Sequence, residues 1–91
     1  MQEGINMIRH YRSLETEYIG PTNFRAARVV ARSSDGSQRL VVNWDHAIGI
    51  DENHAAAAKA LAESLGWEGR WIMGGTPNGA VFVLDAEGFT V

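Results

Sequence analysis

Asp35-Gly36 constrains the fold of this chain more than any other pair of residues. It lies in Ser34-Asp35-Gly36-Ser37, between the runs Arg28–Arg32 and Gln38–Trp44. An Asp-Gly pair flanked by alternating apolar and polar side chains is a strong short-range signal for a β-hairpin. Period-two alternation puts Val29 and Ala31 on one face with Leu40, Val42 and Trp44. Arg28, Val30, Arg32, Arg39, Val41 and Asn43 fall on the other. One face is suited to a core and the other is rich in arginine.

After the hairpin, Asp51 reads as a helix N-cap with Glu52 in the first turn, and the alanine-rich segment predicts a helix over 52–65. His54, Ala57, Ala58, Leu61, Ala62 and Leu65 form its apolar stripe, while Lys59, Glu63 and Ser64 lie away from it. Gly66 supplies a left-handed stop, and Trp67 can fold back over Leu61 or Ala62 as in a Schellman cap. The small alanines allow close packing on a sheet. Arg70–Met73 and Ala80–Leu84 then predict a second hairpin, with Gly74-Gly75-Thr76-Pro77-Asn78-Gly79 read as an irregular loop between them.

The resulting order is ββαββ. Thr16–Ile19 can add an edge strand, and Met7–Leu14 fits either a short helix or a strand extending it. The expected fold class is α+β: an antiparallel sheet with one helix packed on one face. A chain of 91 residues makes a single domain over 1–91, burying a little over roughly 60% of its unfolded surface. Residues 1–6 read as an extension, with Met7 as an alternative start.

The chain has no cysteine, which excludes disulfides, thiolate zinc sites and thiol nucleophiles. No segment reads as a secretory leader or a membrane span, so a cytoplasmic location is expected. The net charge is −3, unevenly placed: residues 1–45 carry six Arg against five acids, and residues 46–91 carry Lys59 and Arg70 against six acids. Such asymmetry can orient an encounter with a charged partner, but it falls short of the basic footprint of a typical nucleic-acid binder.

No arrangement of residues spells out catalysis, a metal site or a cofactor. Asp45, His46 and His54 are possible ligands or acid–base groups, yet their spacing matches no strong metal motif. Caps and satisfied core polar groups are the preferred reading. Ser33, Ser34, Ser37 and Ser64 lack a nucleophile elbow or a base. The Gly74–Gly79 segment leads into a strand rather than a helix and lacks a following Lys, so it does not read as a phosphate cradle.

Recognition is the remaining class. Gly20-Pro21-Thr22-Asn23 reads as a turn in which Thr22 and Asn23 can bond their own main chain, followed by Phe24 and Arg25. Arg28, Arg32 and Arg39 can grip acidic protein surface or phosphates, with Phe24 and Trp71 as aromatic anchors. These arginines equally suit a solvated outer face whose stems cover neighbouring valines. Arg25 can either bind a partner or hold the turn shut. The candidate partner-binding set is Phe24, Arg25, Arg28, Arg32, Arg39 and Trp71.

The segments Gly20-Pro21-Thr22-Asn23-Phe24-Arg25-Ala26-Ala27-Arg28, Trp44-Asp45-His46-Ala47, Asn53-His54-Ala55-Ala56-Ala57, Leu65-Gly66-Trp67 and Gly69-Arg70-Trp71 resemble landmarks of a small protein family carried by phages, plasmids and integrated elements. The resemblance covers roughly residues 12 to 84. It departs from the family pattern at Ala26, where a Gly usually follows the Arg. A mobile-element origin is implied, and with it a non-catalytic protein that occludes a macromolecular partner. Its sharpest form is an anti-CRISPR inhibitor of a host CRISPR effector complex. Two alternatives stay open: a nucleic-acid-binding accessory protein using the same arginines, and a structural homodimer joined through Ile72, Val81 and Val83.

Overall fold

A computed structural model describes residues 9–85 and 89–90. The expected extension over 1–6 and the start at Met7 lie outside them. The strands are β1 (Arg9–His10), β2 (Ser13–Ile19), β3 (Arg28–Ser33) and β4 (Arg39–Asn43), then, after helix α1 (Ile50–Leu65), β5 (Arg70–Thr76), β6 (Gly79–Asp85) and β7 (Phe89–Thr90). Strands β2 to β6 form one antiparallel sheet in the order β4-β3-β2-β6-β5. Strands β1 and β7 form a separate two-stranded ladder. The fold is α+β, with the helix on one face of the five-stranded sheet.

The face assignments from alternation hold. Val29 and Ala31 are buried with Leu14, Phe82 and the helix residues Ala57, Ala58, Leu61 and Ala62, and Leu40, Val42 and Trp44 pack against this core from the same side. Helix α1 lies over β3, β2 and β4, reaches β6 and leaves β5 uncovered. Its end is a Schellman cap: Gly66 has φ 71°, its N–H bonds Glu63 O at 3.2 Å, and Trp67 N–H bonds Ala62 O at 2.9 Å. The β3–β4 turn is equally well specified, with Gly36 at φ 81°. There the Asp35 carboxylate accepts bonds from Ser33 Oγ, Ser37 N–H and Ser37 Oγ. These bonds, the Ser33 hydroxyl foremost, favour the anion and hold the Asp35 carboxyl at about 2, below its ordinary 3.8.

Three expectations need correction. The segment expected as an edge strand from Thr16 is the central strand β2, starting at Ser13. Its two edges are taken by β3, from Leu14↔Ser33 to Ile19↔Arg28, and by β6, from Ser13↔Val83 to Glu17↔Gly79. Its alternating acids Glu15 and Glu17 lie on the sheet face that carries no helix, while Leu14 and Thr16 are buried on the other.

The supposed loop over 74–79 is mostly strand. Gly74 and Gly75 stand in the ladder opposite Val81 and Ala80, and only Pro77-Asn78 turn the chain. Proline needs no ladder donor at that point, and neither turn residue has positive φ. The hairpin also touches β2, since Tyr18 N–H bonds Asn78 O at 3.1 Å.

The helix begins at Ile50 with Gly49 as N-cap and Asp51 in the first turn, so Asp51 is not the cap. A residue inside the helix organises the entry. Buried Asn53 accepts from Asp45 N–H at 2.8 Å and donates to the carbonyls of Asp45, Ile48 and Gly49. This latch fixes the chain from 45 to 49 and sets where the first turn starts.

Candidate partner-binding surface

The residues expected to meet a partner occupy three places. Arg28, Arg32 and Arg39 share the open sheet face, where Arg28 pairs across the ladder with Asn43, and Arg32 with Arg39. That face is not purely basic. Arg32 Nη2 forms an ion pair with Glu17 at 3.3 Å, and Glu15 stands opposite Arg32 on β2. Val30 lies between Arg28 and Arg32 on this face, opposite Glu17 and Val41, and is buried with 3% of its surface exposed.

Phe24 and Arg25 sit on the β2–β3 connection. Thr22 clamps it: Thr22 Oγ1 accepts from the N–H groups of Phe24 (3.2 Å) and Arg25 (3.0 Å), and Thr22 N–H donates to Arg25 O at 2.8 Å. The Arg25 main chain thus closes the turn, a role the sequence suggested for its guanidinium. Ala26 takes no positive φ, so the turn brings no backbone strain there. The clamped loop leaves Phe24 93% exposed, the most exposed of the large hydrophobic side chains described. Arg28, at the start of β3, donates to Ala26 O at 3.3 Å and ties the loop to the open face.

Trp71 belongs elsewhere. It is half-buried on the helix side of β5 and packs against the core, so the sheet separates it from the arginines. It lines an apolar groove of about 530 Å³ with Ala58, Ala62, Trp67, Met73 and Phe82. The groove exists because the helix covers one side of its sheet face and stops short of β5. The sequence could not show this, since the helix's apolar stripe gives its buried side but not which strands it covers.

A second cleft of about 530 Å³ opens at the helix N-terminus, lined by Tyr18, Trp44, His46, Asp51, His54 and the Thr76–Gly79 turn among others. Trp44 meets Tyr18 and His54 edge-on, with ring centroids 5.0 and 6.1 Å away. His54 is 4% exposed and its Nδ1 is hydrogen-bonded to buried Thr16 Oγ1 at 2.8 Å. Burial pushes its pKa below the ordinary 6.5, against a weaker upward pull from Asp51. The folded state therefore prefers neutral His54, and its contribution to stability is complete above pH 6.5 and lost as pH falls below that value. Denaturation midpoints measured from pH 7.5 to pH 5 should fall for the wild type. His54→Gln should flatten that slope, and an unchanged slope would remove His54 as its source.

Asp45 and His46, considered as ligands, are accounted for locally. The Asp45 carboxylate accepts from Ala47 N–H at 2.9 Å, and His46 is exposed at the cleft. Among the described residues no cluster of three His, Cys, Asp or Glu could hold a metal ion. No described helix is long and apolar enough to cross a membrane. The fold and its surfaces define a small α+β domain with a hydrogen-bonded loop presenting one aromatic ring. No protein-family model, curated protein or solved structure matches the chain.

Proposed function

We propose that this domain is a non-catalytic binding module that covers a surface of a macromolecular partner, with Phe24 as anchor and Arg25 and Arg28 beside it. The observation that carries this reading is Phe24, 93% exposed on a loop held by Thr22. An exposed ring on a preorganised loop binds with little ordering cost, and aromatic and arginine side chains dominate interface energetics. Glu15 and Glu17 offset part of the arginine charge on the adjoining face, which favours a protein partner over a phosphate backbone. A standard interface needs roughly 1,200–2,000 Å² in total, so the loop must recruit part of the open face around Arg28.

The sharpest form of the reading is an anti-CRISPR inhibitor that occludes a host CRISPR effector complex. Its support is the resemblance of the Gly20–Arg28 and Trp44–Ala47 segments to proteins of phages and plasmids. The test is a tagged pull-down from host lysate containing CRISPR effector complexes, with nuclease-treated controls and with Phe24→Ala and Arg28→Glu as parallel baits. Wild type should retain an effector subunit after nuclease. Phe24→Ala should reduce recovery at least about tenfold, as loss of a hot spot does. Its denaturation midpoint should stay at the wild-type value, because the ring makes little contact within the fold. Equal recovery by Phe24→Ala would overturn the anchor, and recovery of only nuclease-sensitive material would overturn the inhibitor reading.

A further inference from the structure

We infer that β5 is the seam of a two-fold dimer, paired antiparallel about Met73 with β5 of a second copy, so that two five-stranded sheets continue as one of ten strands. Strand β5 is an edge of the sheet, and the helix does not cover it. Sheet edges in soluble proteins are normally blunted by charge, proline or a bulge. Trp71-Ile72-Met73-Gly74-Gly75 carries no charge and no proline, and its β6 register runs unbroken from Arg70↔Asp85 to Thr76↔Gly79. Ile72 is 59% exposed and Met73 40%.

The two glycines identify the occupant. Gly74 and Gly75 weaken a strand interior, and nothing among the described residues demands them. Neither has positive φ. A Cβ on Gly75 would meet nothing within 4 Å, and one on Gly74 would touch only Val81 Cγ1 at 3.4 Å. In a pairing with Met73 opposite Met73 of the second copy, Ile72 falls opposite Gly74 and Trp71 opposite Gly75. Directly opposed residues of an antiparallel pair project to the same face. Each bulky side chain therefore lies over a glycine, on both faces and on both sides of the dyad. The order large, large, Met, small, small is complementary to itself only when read in the opposite direction, which is the relation a two-fold axis creates.

Charge and area agree with this occupant. Arg70, the one charged residue of β5, is matched within its own chain by Asp85 at 2.9 Å, so neither copy brings an unpaired charge to the seam. A seven-residue strand is about 23 Å long, and such an edge with its side chains buries roughly 400 Å² per copy. About 800 Å² in total is at the low end for specific association, so the dimer is weak and reversible. It is independent of any partner at Phe24, which lies at the other side of the sheet order, on the β2–β3 connection.

The absence of cysteine makes the register directly testable. At the dyad the Cα atoms of paired strands stand about 4.5–5.5 Å apart, within disulfide range. Sedimentation velocity from about 10 µM to about 1 mM should show a reversible monomer–dimer equilibrium. Under mild oxidation Met73→Cys should form a covalent dimer at least about tenfold faster than Ile72→Cys, whose thiol faces glycine rather than its own copy. Ile72→Lys, a charge on an exposed edge position, should give a folded monomer throughout. A wild-type chain that stays monomeric at about 1 mM would overturn the dimer. Equal cross-linking by the two cysteine variants would overturn the register.

Discussion

Gly79→Ala should unfold the domain or bring it close to unfolding, with an expected loss of about 4 kcal/mol or more. Gly79 is the first residue of β6 and pairs with Glu17 at the middle of the sheet. A Cβ there would run into the Thr16 carbonyl oxygen and stand 3.0 Å from Glu17 Cα. Both obstacles are backbone of the central strand and cannot swing aside as a side chain can. Relief would require β2 and β6 to separate where the hairpin turn docks on Tyr18. A domain of this size has roughly 5–14 kcal/mol of stability in all, so the loss takes a large share. Gly75→Ala is the matched control. It lies on the same hairpin with open space around it, and reducing the freedom of the unfolded chain should leave it equal to wild type or up to about 1 kcal/mol more stable. Denaturant midpoints compare the two directly, and a Gly79→Ala midpoint near wild type would mean that β2 and β6 do not approach as described.

Asn53→Ala should cost about 3 kcal/mol, the next largest effect of a single side chain. One amide satisfies Asp45 N–H and three carbonyls, those of Asp45, Ile48 and Gly49. Truncation removes four bonds and leaves a cavity at the only entry to the helix. Asn53→Asp separates hydrogen bonding from packing. It keeps the acceptor for Asp45 N–H and the shape, but turns an anionic oxygen toward three carbonyl oxygens. At pH 7 it should therefore lose at least as much as Asn53→Ala. If Asn53→Asp instead behaves like wild type, the amide is not the latch. The wall of the N-terminal cleft that contains His46 depends on this connection, so both variants should also loosen that cleft.

The sequence made the local rules readable and left the distant ones dark. Asp35-Gly36 gave the hairpin, alternation gave the faces of β3 and β4, and Gly66-Trp67 gave the Schellman cap, because each depends on residues a few positions apart. Strand β2 was misjudged as an edge because its second neighbour, β6, lies far along the chain, and no local pattern announces that pairing. Gly74 and Gly75 were read as loop because glycine is usually a breaker, while the ladder that holds them comes from Val81 and Ala80. Of the candidate site, the shared face of Arg28, Arg32 and Arg39 was readable from parity. Their partial neutralisation by Glu17 was not, since it needs the β2–β3 register. Trp71 was grouped with them by residue type, and only the covering of the sheet shows that it faces the other way. Asn53 and His54 were visible as a motif, but their bonds to Asp45 and Thr16 require the helix to be docked.

Strand order also sets a timetable for the ribosome. The central strand β2 is joined to β6 through pairs such as Leu14 with Phe82, which lie 68 positions apart. At roughly 5–20 residues per second, β2 is made several seconds before its second neighbour exists. Until then one side of Leu14 and Thr16 has no strand to pair with, and the helix can dock only on the incomplete meander of β2, β3 and β4. Productive folding therefore awaits the end of β6, and the nascent chain offers its unpaired β2 edge to chaperones, or to other nascent chains, throughout that interval.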